Sequence, residues 1–110
     1  MATIVCTSLA DHFNGTDSRD RILGLAGDDI LSGGVGNDLL FGDRGNDTLN
    51  GEDVADWLFG GLGADLLHGG SGDDFLSGGS DADELDGDDG NDRLEGGSGK
   101  DKLFGGLGNE

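Results

Sequence analysis

One aliphatic side chain recurs every nine residues along this chain, at Ile22, Leu31, Leu40, Leu49, Leu58, Leu67, Leu76, Leu85, Leu94 and Leu103. The six residues that open each unit are rich in glycine, aspartate and asparagine, types that tolerate the left-handed backbone of tight turns. The last three predict a very short strand whose middle side chain points one way and whose flanking side chains point the other. Ten full units run from Gly15 to Phe104, and a partial one from Gly105 to Glu110. The frame also extends backwards, with Ile4 and Phe13 on the aliphatic position and Asp11 two residues before Phe13. Residues 1–14 therefore read as degenerate units that begin and cap the stack, and 15–110 as the regular repeats of the same single domain.

A fixed short period means one small unit stacked on copies of itself. With a single aliphatic residue inward per unit, the interior is a narrow ladder of leucines, too thin to fold the chain alone. A second series runs in phase with the first: Asp20, Asp29, Asp38, Asp47, Asp56, Asp65, Asp74, Asp83, Asp92 and Asp101, each two residues before an aliphatic one and five after a glycine. A carboxylate locked to the stacking period repeats a charge that a cation must neutralise.

The unit is clearest in GGVGNDLLF, Gly33 to Phe41. It resembles the GGxGxDxUx nonapeptide of the RTX (repeats in toxin) family, where U is a large aliphatic residue. The resemblance spans nearly the whole chain. It implies an all-β fold, a right-handed parallel β-roll in which two nonapeptides make one coil of 18 residues, giving about six coils, with calcium held in the turns between adjacent coils. Calcium takes six to eight oxygens, carboxylate and backbone carbonyl alike. The implied ligands are the ten aspartates with turn glycines such as Gly33, Gly34 and Gly36, Gly60, Gly61 and Gly63, Gly69, Gly70 and Gly72, and Gly96, Gly97 and Gly99.

Stacked turns lie two units apart, so the resemblance pairs Asp38 with Asp56 and Asp47 with Asp65, and the working period becomes eighteen. Pairing each of eleven turns with the turn two units on allows up to about nine calcium ions, whose charge would match the formal −18 of the chain. Imperfect turns are expected to bind less well. Val54 replaces a glycine in GEDVADWLF, and a β-branched residue resists positive φ. Asp81 takes that place in GGSDADELD, the first turn, GTDSRD, lacks both later glycines, and the last ends in Glu110. Occupancy is expected to be highest from Gly24 to Phe41 and from Gly60 to Ser77.

Composition sharpens this reading. There are 24 acidic residues against 6 basic ones, with 25 glycines and no proline. Such a chain would be disordered without its periodicity, so order is expected for the calcium-loaded state. The charge argues against nucleic acid as a partner. Cys6 is the lone cysteine, so no internal disulfide staples the fold. No stretch approaches the roughly 18 apolar residues of a membrane-spanning helix, and the start lacks the basic region of a cleavable signal. The resemblance implies a secreted protein leaving by type I export. Ending mid-unit without the cap that the resemblance implies, the chain is expected to be a fragment or an engineered piece, with coil ends open to self-association.

Alternate units face opposite ways. One outer face carries Leu39, Phe41, Trp57, Phe59 and Phe75, which coils about 4.8 Å apart would join into one apolar patch. That patch is expected to dock a protein segment or a second copy. Stiffening of the sheet by cross-strand stacking, and carbohydrate or other surface binding as in an adhesin, are the alternatives. The opposite face is polar. His12 and His68 lie on outer strand positions with no evident nucleophile or second ligand, and GGSGKD near Lys100 lacks the hydroxyl residue and setting of a phosphate loop. The expectation is therefore no enzyme, but a calcium-binding structural or docking module of a secreted bacterial protein, or the repeat region of a larger secreted toxin or enzyme.

Overall fold

The structure, a computed structural model, describes residues 2–108. Twelve strands follow one another: β1 Ala2–Val5, β2 His12–Asn14, β3 Asp20–Leu23, β4 Ile30–Val35, β5 Leu39–Arg44, β6 Thr48–Asp53, β7 Trp57–Leu62, β8 Leu66–Ser71, β9 Phe75–Ser80, β10 Glu84–Asp86, β11 Arg93–Gly97 and β12 Lys102–Phe104. Odd strands form one six-stranded parallel sheet and even strands a second. Every turn thus carries the chain from one sheet to the other, and strand neighbours are 18 residues apart, as in Leu40 against Leu58 and Leu49 against Leu67. The result is an all-β parallel solenoid of about six coils, a slab of 36 × 33 × 14 Å.

The thin dimension follows from the spacing of aliphatic residues. Ile22 and the seven leucines from Leu31 to Leu85 are fully buried between the sheets, with Ile4, Cys6, Phe13 and Leu94 packed partly against them. Leu103, on the last described coil, is 46% exposed. At the start, Ile4 pairs with Ile22 and Phe13 with Leu31, so the irregular N-terminal residues keep the register of the stack.

Two local expectations need correction. Central strands are six residues long rather than three, because pairing continues through the turn, as in Gly34 against Glu52 and Val35 against Asp53. Each coil bends at the same place, so the bend does not separate neighbouring backbones. Val54, expected to resist positive φ, adopts 78°, the same as Asp81. Stacking on both sides imposes the turn shape on a residue that disfavours it. The expected Glu110 ending of the last turn lies outside the described residues.

Candidate metal centre

Each aspartate of the series sits where a turn enters a strand, one residue before the outward-facing position and two before the buried aliphatic one. From Asp20 to Asp92 these side chains are only 0–3% exposed. They form two rows, one on each edge of the slab, with members 18 residues apart. In both rows the amide of one aspartate donates to Oδ1 of the next: Asp20 to Asp38 at 2.7 Å, Asp38 to Asp56 at 2.7 Å and Asp56 to Asp74 at 2.8 Å on one edge. Asp29 to Asp47, Asp47 to Asp65 and Asp65 to Asp83, each at 2.8 Å, repeat this on the other.

The second carboxylate oxygen is different. Oδ2 of Asp29, Asp38, Asp47, Asp56, Asp65, Asp74 and Asp83 is buried without a hydrogen-bond partner. Buried polar atoms are otherwise almost always paired, and a buried charge without a counter-charge is costly. These orphan oxygens lie against the glycine that opens each turn. A Cβ on Gly42 would stand 2.4 Å from Asp47 Oδ2 and 2.7 Å from the Gly60 carbonyl oxygen, and Gly60 has the same relation to Asp65 and Gly78. Glycine is thus required at these positions by close approach of oxygens, independently of φ. The donor set is carboxylate and carbonyl oxygen drawn from successive coils, which suits a hard cation such as calcium.

Asp11 and Asp20 are exceptions at the start of the rows. Thr16 donates both its amide and its hydroxyl to the Asp20 carboxylate, and Thr7 does the same for Asp11. Threonine in place of the second turn glycine thereby satisfies the oxygen left unpaired in later coils. At the other end Asp101 is only partly buried, although its Oδ1 still accepts from the Asp83 amide at 2.9 Å.

The remaining turn glycines hold the shape. Gly34 and Gly36, Gly61 and Gly63, Gly70 and Gly72, and Gly97 and Gly99 have φ from 89° to 123°. Leu25, Asp43, Glu52, Val54, Asp81 and Asp88 take left-handed φ without being glycine. The backbone distinguishes complete from imperfect turns less than their sequences do. A further set of contacts was not foreseen: fifth-position side chains also bridge coils, with Asp28 Oδ1 accepting from the Asn46 amide and Asn46 Oδ1 from the Ala64 amide.

Electrostatics match the geometry. Burial is the main cause that raises the aspartate pKa values; the amide bond from the adjacent coil opposes it and neighbouring carboxylates add to it. Asp56 is pushed up to about 8, Asp65 and Asp74 to about 7, and Asp47 to about 6, while Asp29, Asp38 and Asp83 are also raised. An unfolded aspartate titrates near 3.9, so without a cation these groups stabilise the fold fully only below about pH 4. That contribution is lost as pH rises through about 6 to 8. The metal-stripped chain should accordingly gain strand signal in circular dichroism as pH is lowered from about 8.5 to about 4.5. Calcium affinity should fall over the same interval, because protons compete for the carboxylates. Strand content independent of pH in the stripped chain would contradict the burial argument.

The profile of the RTX calcium-binding nonapeptide repeat, four copies to a match, fits residues 14–49, 50–85 and 77–109. The chain belongs to the RTX calcium-binding repeat family. No match is found among curated proteins. RTX repeats bind calcium as structural modules, and the family is typically found in secreted proteins. In this RTX chain the orphan Oδ2 atoms and glycine carbonyls are the groups that fit such an ion. Calcium held by these groups would supply the positive charge that the buried carboxylates lack.

The outward residues sort as expected into an aromatic and a polar face. Phe41 and Phe59 stack with centroids 5.0 Å apart, and Trp57 meets Phe75 at 5.4 Å and Phe59 at 6.4 Å. Leu39 pairs with Trp57 in the same sheet. On the polar face the expectation that His68 has no second ligand fails: ligand atoms of His68, Asp86 and Asp88 lie within 4.8 Å of one another. The signal in the sequence was the eighteen-residue step from His68 to Asp86.

Proposed function

We propose that this chain is a non-catalytic, calcium-responsive folding module of a secreted bacterial protein, and that Asp29 to Asp83 with their turn glycines hold the ions. The observation that carries this reading is the two rows of buried, unpaired Oδ2 atoms. An ion count by equilibrium dialysis tests it. Several calcium ions should bind per chain, up to about nine, and Asp56→Asn should bind fewer while keeping the Oδ1 acceptor for the Asp38 amide. An unchanged count in Asp56→Asn would overturn the assignment. Residues 1–14 act as the N-terminal cap, a reading favoured by the threonines that close the first carboxylates. Coupling of folding to calcium would keep the chain unfolded in a calcium-poor cytosol, a state suited to type I export, whether the chain acts alone or as the repeat region of a larger toxin or enzyme.

The aromatic face supports a second reading, docking of an apolar protein surface or another copy. Phe59 packs on Phe41, Trp57 and Phe75, and Trp57, 56% exposed, also meets Phe75. The rings pack on one another rather than lying apart between polar groups, which favours a protein surface over a sugar. Trp57→Ser combined with Phe59→Ser should leave calcium-induced strand signal intact and abolish association. Unchanged sedimentation of that variant would rule out docking through this face.

A further inference from the structure

We propose that His68, Asp86 and Asp88 form a second metal site, distinct from the aspartate rows, for a first-row divalent cation of which zinc is the type. The three residues come from two adjacent coils. His68 on β8 and Asp86 on β10 are cross-strand partners on the outer side of the even-stranded sheet, and Asp88 follows in the turn after β10. All three are half-buried, and their ligand atoms lie within 4.8 Å of one another. Ligands about 2.0–2.2 Å from zinc stand roughly 3.4 Å apart in a tetrahedron, so modest side-chain rotation closes the set.

The same positions two coils earlier provide a comparison. They hold Ser32, Asn50 and Glu52, and there the Ser32 hydroxyl donates directly to the Glu52 carboxylate. At the later position the carboxylates are held by backbone instead. Asp86 Oδ1 accepts the Asp88 amide at 3.1 Å and Asp88 Oδ2 accepts the Gly70 amide at 3.3 Å, which orients both carboxylates while each keeps another oxygen. In the other turns of this edge the second position is Gly34, Gly70 or Gly106, which offers no side chain, or Thr16, which is occupied with Asp20. Among the described residues, only the coils at His68 combine an imidazole with two carboxylates.

The donor set discriminates between cations. An imidazole nitrogen with two carboxylates suits zinc, nickel or copper, whereas calcium prefers six to eight oxygens. Two carboxylates and a neutral imidazole also balance a divalent charge. Such an ion would tie β8 to β10 and the turn beyond it, where the strands shorten to three residues. The inference goes beyond calcium binding and needs only that the coils be folded.

The test is a zinc titration of the calcium-saturated chain by calorimetry, with cobalt absorption reporting the ligand field and histidine NMR reporting each imidazole. One zinc per chain is expected, undisturbed by excess calcium or magnesium, with the His68 ring resonances shifted and those of His12 unmoved. His68→Asn, which repeats the residue found at Asn50 one coil earlier, should weaken zinc at least tenfold while strand signal and calcium midpoint stay unchanged. His12→Asn should have no effect. Zinc that is displaced by calcium, that binds His68→Asn with unchanged affinity, or that leaves the His68 ring unshifted would overturn the proposal. The wild-type NMR measurement decides it even if the variant folds poorly.

Discussion

Removing calcium from the folded chain with a chelator should abolish its strand signal almost completely, and returning calcium should restore it. Among the described residues, the fully buried hydrophobic core is eight aliphatic side chains, in a chain of 110 residues. Ordering the backbone of each residue costs about 1–2 kcal/mol, and so narrow a core does not offset that cost. In addition the coils bury rows of aspartates against one another, with a net charge of −18 over the whole chain. Cation binding reverses the sign of this electrostatic contribution, so binding and folding become one reaction. Ions held by groups from successive coils would link those coils, so the transition should be steeper than a single-site isotherm, as nearest-neighbour coupling along a solenoid requires. Magnesium should not substitute, since it prefers a smaller, near-octahedral shell and keeps its waters. Circular dichroism during calcium titration and chelator reversal is the measurement. An identical strand spectrum in chelator would refute the coupling.

Gly63→Ala should be severely damaging for a single added methyl group. Gly63 has φ of 115°, and a Cβ there would stand 2.1 Å from the Gly45 carbonyl oxygen and 2.9 Å from Asn46 Oδ1. The backbone conformation costs alanine about 1–3 kcal/mol. The steric overlap adds about another 1–3 kcal/mol, because the obstacle is backbone held by its own coil. A loss of roughly 3 kcal/mol or more is expected, seen as a several-fold rise in the calcium midpoint or failure to fold. Val54→Gly is the opposite case. Valine holds φ of 78° in the equivalent turn position, so glycine relieves strain there. Part of that relief is cancelled by the freer unfolded chain, leaving a gain of about 0.5–1 kcal/mol and a lower midpoint. A neutral Gly63→Ala would show that coils separate more readily than the stacking distances imply.

Much of this was legible in the chain. The aliphatic series from Ile22 to Leu85 names the buried core, because burial follows directly from a fixed phase. The nine-residue frame correctly placed Ile4 and Phe13, and the eighteen-residue step placed Leu39, Trp57 and Phe75 in one row. The length of the strands was not legible, because glycine and aspartate at second turn positions signal bends but do not reveal that every coil bends alike. Nor was the conformation of Val54, since local preference argues against it and stacking overrides that preference.

Spacing alone determines that one unit repeats, that one aliphatic residue per unit is inward, and that a carboxylate recurs beside it. These follow from periodicities of single residues, which need no knowledge of neighbouring coils. That Oδ1 takes the amide of the adjacent coil while Oδ2 of Asp29, Asp38, Asp47, Asp56, Asp65, Asp74 and Asp83 stays buried and unpaired is decided only by the tertiary structure. So are the threonine hydrogen bonds to the Asp11 and Asp20 carboxylates and the meeting of His68 with Asp86 and Asp88. Each depends on distances of a few ångströms between atoms of different coils, set by how closely glycine lets two backbones approach.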